Sequence, residues 1–128
     1  MTVLLDTNVV IWAAMAPGRL PAPVARALSH PVEDRLLSPL SIYEVAQKAA
    51  IGKLDLPLPP AAFMFTSAER LGLRFLDVSA GHLREVDNLP WHSKDPFDRI
   101  LALQALGEGI PVLSPDRIFD LYGVKRVW

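Results

Sequence analysis

The chain has 128 residues, 51% of them hydrophobic and 21% charged, with a formal net charge of −1 and no cysteine. That length predicts one domain with a substantial core, and the composition excludes a disordered chain. The missing cysteines exclude disulfides and thiolate metal sites; with no apolar run of about 18 residues and no leader pattern, a soluble cytoplasmic protein is expected.

In chain order, Thr2 to Leu5 is an unbroken apolar run ending in Asp6, the pattern of a central parallel strand buried on both faces. Asn8 is placed to N-cap a helix through Val9, Ile11 and Trp12, which stops before Ala16 to Gly18. Pro23 opens a second helix, and Arg35 to Ser38 forms a short strand closed by Pro39. Ser41 and Glu44 have the spacing of a capping box, predicting a helix from there to about Ile51, with Gly52 as its stop. The stretch "LDLPLPP" is stiff and extended, and Pro60 starts a helix carried by Phe63, Phe65 and Leu71.

Phe75, Leu76 and Val78 suggest another strand, and Ala80 to Val86 a short helix. Asp95 N-caps the clearest helix, with Pro96 at its first position and Gly107 to Gly109 at its end; the Asp95 carboxylate is expected to accept from the Asp98 amide. Ile110 to Leu113 is a buried strand, followed by Ser114-Pro115-Asp116, a short helix to about Tyr122 and an edge strand over Val124 to Trp128. The alternation predicts an α/β fold, a mainly parallel sheet flanked by helices in one domain over residues 1–128.

Asp6, Glu44, Asp98 and Asp116 fall at strand-to-helix junctions or helix starts, and in an open α/β sheet such positions converge on the crevice beyond the strand ends. Each has a plainer reading: Glu44 as capping-box partner, Asp98 as a favourable charge on a helix N-terminus, Asp116 as an N-cap. Asp6 is the exception, because an acid that closes a buried strand needs hydrogen bonds or a cation. Carboxylate pockets suit Mg²⁺ or Mn²⁺, the usual equipment of phosphodiester chemistry. Asp95 competes with Asp98 for a place in the cluster, and the N-cap role is favoured for it.

Setting the four acids aside leaves ten acids against thirteen basic residues, so a nucleic-acid substrate is permitted though not argued for. Thr7, Asn8 and Ser114 flank the acids as candidates to orient them, and Lys94 and Arg99 could meet a phosphate. His30, His82 and His92 stand singly, without the spacing of a zinc site. No glycine-rich phosphate loop is present, and neither Ser114 nor Thr7 has a histidine nearby in sequence. Trp12, Phe63, Phe65 and Trp128 read as core groups, with an interface as the lesser alternative.

"LLDTNVVIW" around Asp6, "SPLSIYEVAQKAAIGKLDLP" around Glu44, "HSKDPFDRILALQAL" around Asp98 and "IPVLSPDRIFDLYGVKRVW" around Asp116 resemble the PIN-domain family, in particular VapC-like toxins of toxin–antitoxin modules. The resemblance covers essentially the whole chain. It implies a three-layer PIN-like fold and a Mg²⁺- or Mn²⁺-dependent endoribonuclease whose ligands match Asp6, Glu44, Asp98 and Asp116. It also implies a homodimer, a cognate antitoxin, and products with a 5′-phosphate and a 3′-hydroxyl. The last motif often reads T-x-D in that family, whereas here it is Ser114-Pro115-Asp116, which makes Asp116 the least secure of the four. The alternatives are a catalytically silent PIN-like module that binds RNA or a partner, and a receiver-like phosphoacceptor domain, against which the single acid after the first strand counts.

Overall fold

The computed structural model describes residues 1–31 and 34–128. A five-stranded, all-parallel sheet has the order β3-β2-β1-β4-β5, with β1 (Thr2–Leu5), β2 (Asp34–Leu37), β3 (Arg74–Phe75), β4 (Val112–Leu113) and β5 (Arg126–Val127). The apolar run after Met1 is therefore the central strand. Its residues alternate between two cores, as the pleat requires. Val3 and Leu5 join a cluster with Val9, Val10, Val24, Val45, Phe63 and Met64, whereas Leu4 faces Leu36, Leu101, Ala102, Val112 and Phe119.

The first cluster is built on α1 (Thr7–Met15), α2 (Ala22–Ser29), α3 (Leu40–Ala50) and α4 (Pro60–Leu71). The second is covered by α6 (Pro96–Glu108) and α7 (Ile118–Leu121), with the short α5 (Ala80–Leu83) against α6. Helices on both faces of the sheet make the three layers that were expected. Burying both faces of the central strand also explains why it carries no polar alternation.

Several local expectations need correction. α1 begins at Thr7 rather than after Asn8, with Asp6 at the N-cap position and no side-chain cap. α3 begins at Leu40, one residue before the supposed capping box, and its first turn is held by the Ser38 hydroxyl accepting from the Leu40 amide. Ser41 and Glu44 thus lie inside the helix, free to bond elsewhere. The third strand stops at Phe75, although the Leu76 amide still donates to Leu37. α6 forms as expected, with Pro96 at its first position and Gly109 in the left-handed region at its end, at φ 66°. The Asp95 carboxylate accepts from the Phe97 amide, not from Asp98.

Candidate metal centre

The carboxyl ends of β1 and β4 lie side by side, Leu5 opposite Leu113, so Asp6 and Ser114 emerge together. Both are buried, and the Ser114 hydroxyl donates to Asp6 Oδ2 at 2.5 Å. From α1, next to Asp6, Thr7 Oγ1 donates to Glu44 Oε1 at 2.6 Å and stands 2.9 Å from the Ser41 hydroxyl. Glu44 is buried in α3, and its other oxygen, Oε2, accepts from Lys48 Nζ at 2.7 Å. Asp98 is half-buried in the first turn of α6, where its charge also meets the positive end of the helix.

Electrostatics tie these groups into one cluster. Burial pushes the Asp6 carboxyl up to about 6; the Ser114 hydrogen bond opposes that rise, and the charges of Glu44 and Asp116 add to it. Asp98 is pushed up to about 7, first by burial and then by Asp95, Asp6, Asp116 and Glu44. Burial works against the charged form of Lys48, but Glu44, with Asp6 and Asp95 behind it, outweighs that and raises its pKa. Asp98 thus feels the charges of the other three sequence-predicted acids, and of Asp95.

Their commitments differ. Asp116 is exposed; its Oδ1 accepts from the Ile118 amide and its own amide donates to Ser114 Oγ, so it caps the turn that leads into α7. Asp95 is likewise exposed and occupied by the Phe97 amide. Among the described residues neither Asp6 nor Asp98 has an ion-pair partner. The donor set is all oxygen, as Mg²⁺ or Mn²⁺ requires, and two acids raised by burial and repulsion are stabilised in their charged form by a cation. Among the described residues no three acid or histidine groups stand close enough to grip one ion directly. The set therefore fits Mg²⁺ or Mn²⁺ by its chemistry, with waters completing the shell, as is usual for Mg²⁺.

The sequence readings of Arg99 and Phe65 change. Arg99 does not face a phosphate site: it is buried, donates to the carbonyls of Leu89 and Pro90 at 3.1 and 2.7 Å, and lies 3.6 Å from the centre of the Trp91 ring. His82 is buried and structural, its Nδ1 accepting from the Ser79 amide and its Nε2 lying 2.9 Å from Glu108 Oε2. Phe63 is core, but Phe65 is exposed against Phe75, and Trp12 lies between Trp128 and the Arg19 guanidinium. Sequence reasoning missed Lys48, which the i, i+4 spacing from Glu44 could have disclosed, and it missed the bond from Thr7 to Glu44, which no local pattern encodes.

The sequence model of the PIN domain matches residues 3–125. The fold is similar to a chain in the crystal structure of VapBC2 from Rickettsia felis bound to a DNA fragment from their promoter, with 15% identity, 99% of this chain and 98% of that one covered, and a TM-score of 0.74. VapBC-1 from nontypeable Haemophilus influenzae gives 17% identity, coverage of 99% and 97%, and a TM-score of 0.66. FitAcB from Neisseria gonorrhoeae gives 21%, 98% and 96%, and 0.68. At these identities the likeness is one of fold. No curated protein gives a significant sequence match.

Proposed function

The chain belongs to the PIN domain family, and from that premise we propose that it is a Mg²⁺- or Mn²⁺-dependent endoribonuclease, the toxin of a toxin–antitoxin module. What supports the chemistry is the electrostatic coupling of Asp98 to Asp6, Glu44 and Asp116, with Asp6 and Asp98 raised by burial and mutual repulsion. The fold likeness to chains of VapBC and FitAcB structures supports the toxin reading, as does the VapC-like pattern of the four sequence motifs. Those neighbours also support a cognate antitoxin as partner. A homodimer is part of the same reading, and so is action in the cytoplasm; among the described residues no helix is long and apolar enough to cross a membrane.

Asp6 and Asp98 would hold the ion, with Glu44 and Asp116 completing the shell through water. Bound there, a divalent cation supplies charge stabilisation for the phosphate and lowers the pKa of a water nucleophile. Ser114 fixes the Asp6 carboxylate through its hydroxyl, and Thr7 fixes Glu44, so both acids keep one orientation as substrate arrives. Water adds to the phosphorus and the bond to the 3′-oxygen breaks, leaving a 5′-phosphate on one fragment and a 3′-hydroxyl on the other. Incubation of the antitoxin-free protein with a structured RNA pool in Mg²⁺ or Mn²⁺, beside an EDTA control, tests the reading. Cleavage lost in EDTA is the expected result. RNA binding without cleavage would favour the silent module.

A further inference from the structure

Glu44 is held at both oxygens, by Thr7 on Oε1 and by Lys48 on Oε2. The two donors differ in kind. Thr7 is fully buried and neutral, whereas the Lys48 side chain is 35% exposed and carries a charge on a flexible stem, one helical turn beyond Glu44. Its ammonium therefore stands where the acidic pocket meets solvent, and it can leave without unfolding α3. Of the ion pairs among the described residues, this one alone reaches the four acids; the others join Arg74 to Asp34, His82 to Glu108 and Arg126 to Asp120.

A divalent ion drawn to these acids would meet that ammonium. Two cations a few ångströms apart repel, and in a partly buried pocket the repulsion is weakly screened. Resting on the metal-dependent reading above, we propose that Lys48 is a positioning residue that sets how tightly the acidic centre takes up a divalent cation: its ammonium holds Glu44 against Thr7 and competes with the ion for that carboxylate. Lys48 then acts through Glu44 rather than on the substrate. Its ammonium supplies a counter-charge beside the buried Glu44 carboxylate, and a bound ion takes over that task.

Mn²⁺ affinity by isothermal titration calorimetry, with melting temperatures in EDTA and in saturating Mn²⁺, compares the natural protein with Lys48→Gln and Lys48→Arg. Lys48→Gln should melt lower in EDTA and bind Mn²⁺ on the order of tenfold more tightly, since a repelling charge is gone. Lys48→Arg keeps the charge and should behave as the natural protein. Lys48→Ala, a good helix former, takes the place of Lys48→Gln if the latter does not fold. Equal Mn²⁺ affinities for the natural protein and Lys48→Gln, with melting lowered alike in both solutions, would reduce the pair to an ordinary structural ion pair and overturn the proposal. Mn²⁺ binding by Lys48→Gln alone would support it. Binding by neither would defeat the metal reading itself, and this inference with it.

Discussion

Ser114 and Asp6, 108 residues apart in sequence, are joined by a 2.5 Å hydrogen bond across the ends of β4 and β1. The same hydroxyl accepts from the Asp116 amide at 3.0 Å, so one small side chain orients an acid of the central strand and the turn that carries another. Ser114→Ala should cost about 1–3 kcal/mol in urea unfolding, because buried partners lose their hydrogen bond. RNA cleavage should fall about 10–100-fold, as expected when a residue orienting a metal ligand is lost. Unchanged cleavage would remove Ser114 from the positioning of Asp6.

Thr7→Val keeps the shape of the side chain and deletes the donor to Glu44 Oε1. Glu44 is buried, so the loss should destabilise the fold by about 1–3 kcal/mol and leave Lys48, among the described residues, as the one side chain bonded to that carboxylate. Thr7→Ser restores the hydroxyl and should recover most of the stability, which denaturant midpoints will show. Equal midpoints for the valine and serine variants would contradict the role given to the hydroxyl.

The pH dependence follows from Asp6 and Asp98, raised by burial first, to about 6 and about 7. In the folded protein each holds a proton at a pH where the unfolded chain, with an ordinary carboxyl near 3.8, has released it. The folded state then binds more protons, so stability in EDTA should fall as pH rises through about 4 to 7, opposite to the behaviour of a salt-bridged acid. Melting in EDTA is therefore expected at higher temperature at about pH 5 than at about pH 8. Mn²⁺, which favours the ionised carboxylates, should narrow the difference. A flat profile in EDTA would contradict the burial of these charges.

A glycine outside the site gives an independent check on the packing of α5 against α6. Gly107 lies within α6, where alanine ordinarily gains about 0.5–1 kcal/mol. A Cβ there would stand 2.9 Å from His82 Cδ2, and that ring is fixed by the Ser79 amide and Glu108. Gly107→Ala should therefore lower the melting temperature while leaving RNA cleavage by the folded fraction unchanged. A stabilised variant would mean that the His82 ring can yield.

The elements most legible in sequence were those whose cause is local. The run from Thr2 to Leu5 could only be a doubly buried strand, and Asp95-Pro96 announced α6 through cap and fixed φ. The four acids were singled out because the carboxyl ends of parallel strands share a crevice. Ser41 and Glu44 misled, because their capping-box spacing serves instead to place two polar groups beside Thr7, a partner more than thirty residues away. Arg99 misled for the same reason: the carbonyls of Leu89 and Pro90 that bury it belong to a connection whose path no periodicity records.

The most direct test of the account is cleavage of a structured RNA pool in Mn²⁺ by the natural protein and by Asp98→Asn, with fragment ends sequenced and folding checked by circular dichroism. Asparagine keeps the shape of Asp98 but lacks the charge that a cation needs, and it relieves the repulsion from Asp95 and Asp6. Metal-dependent fragments with 5′-phosphate ends are expected from the natural protein, and none from a folded Asp98→Asn variant that is at least as stable in EDTA. Undiminished cleavage by folded Asp98→Asn would contradict it.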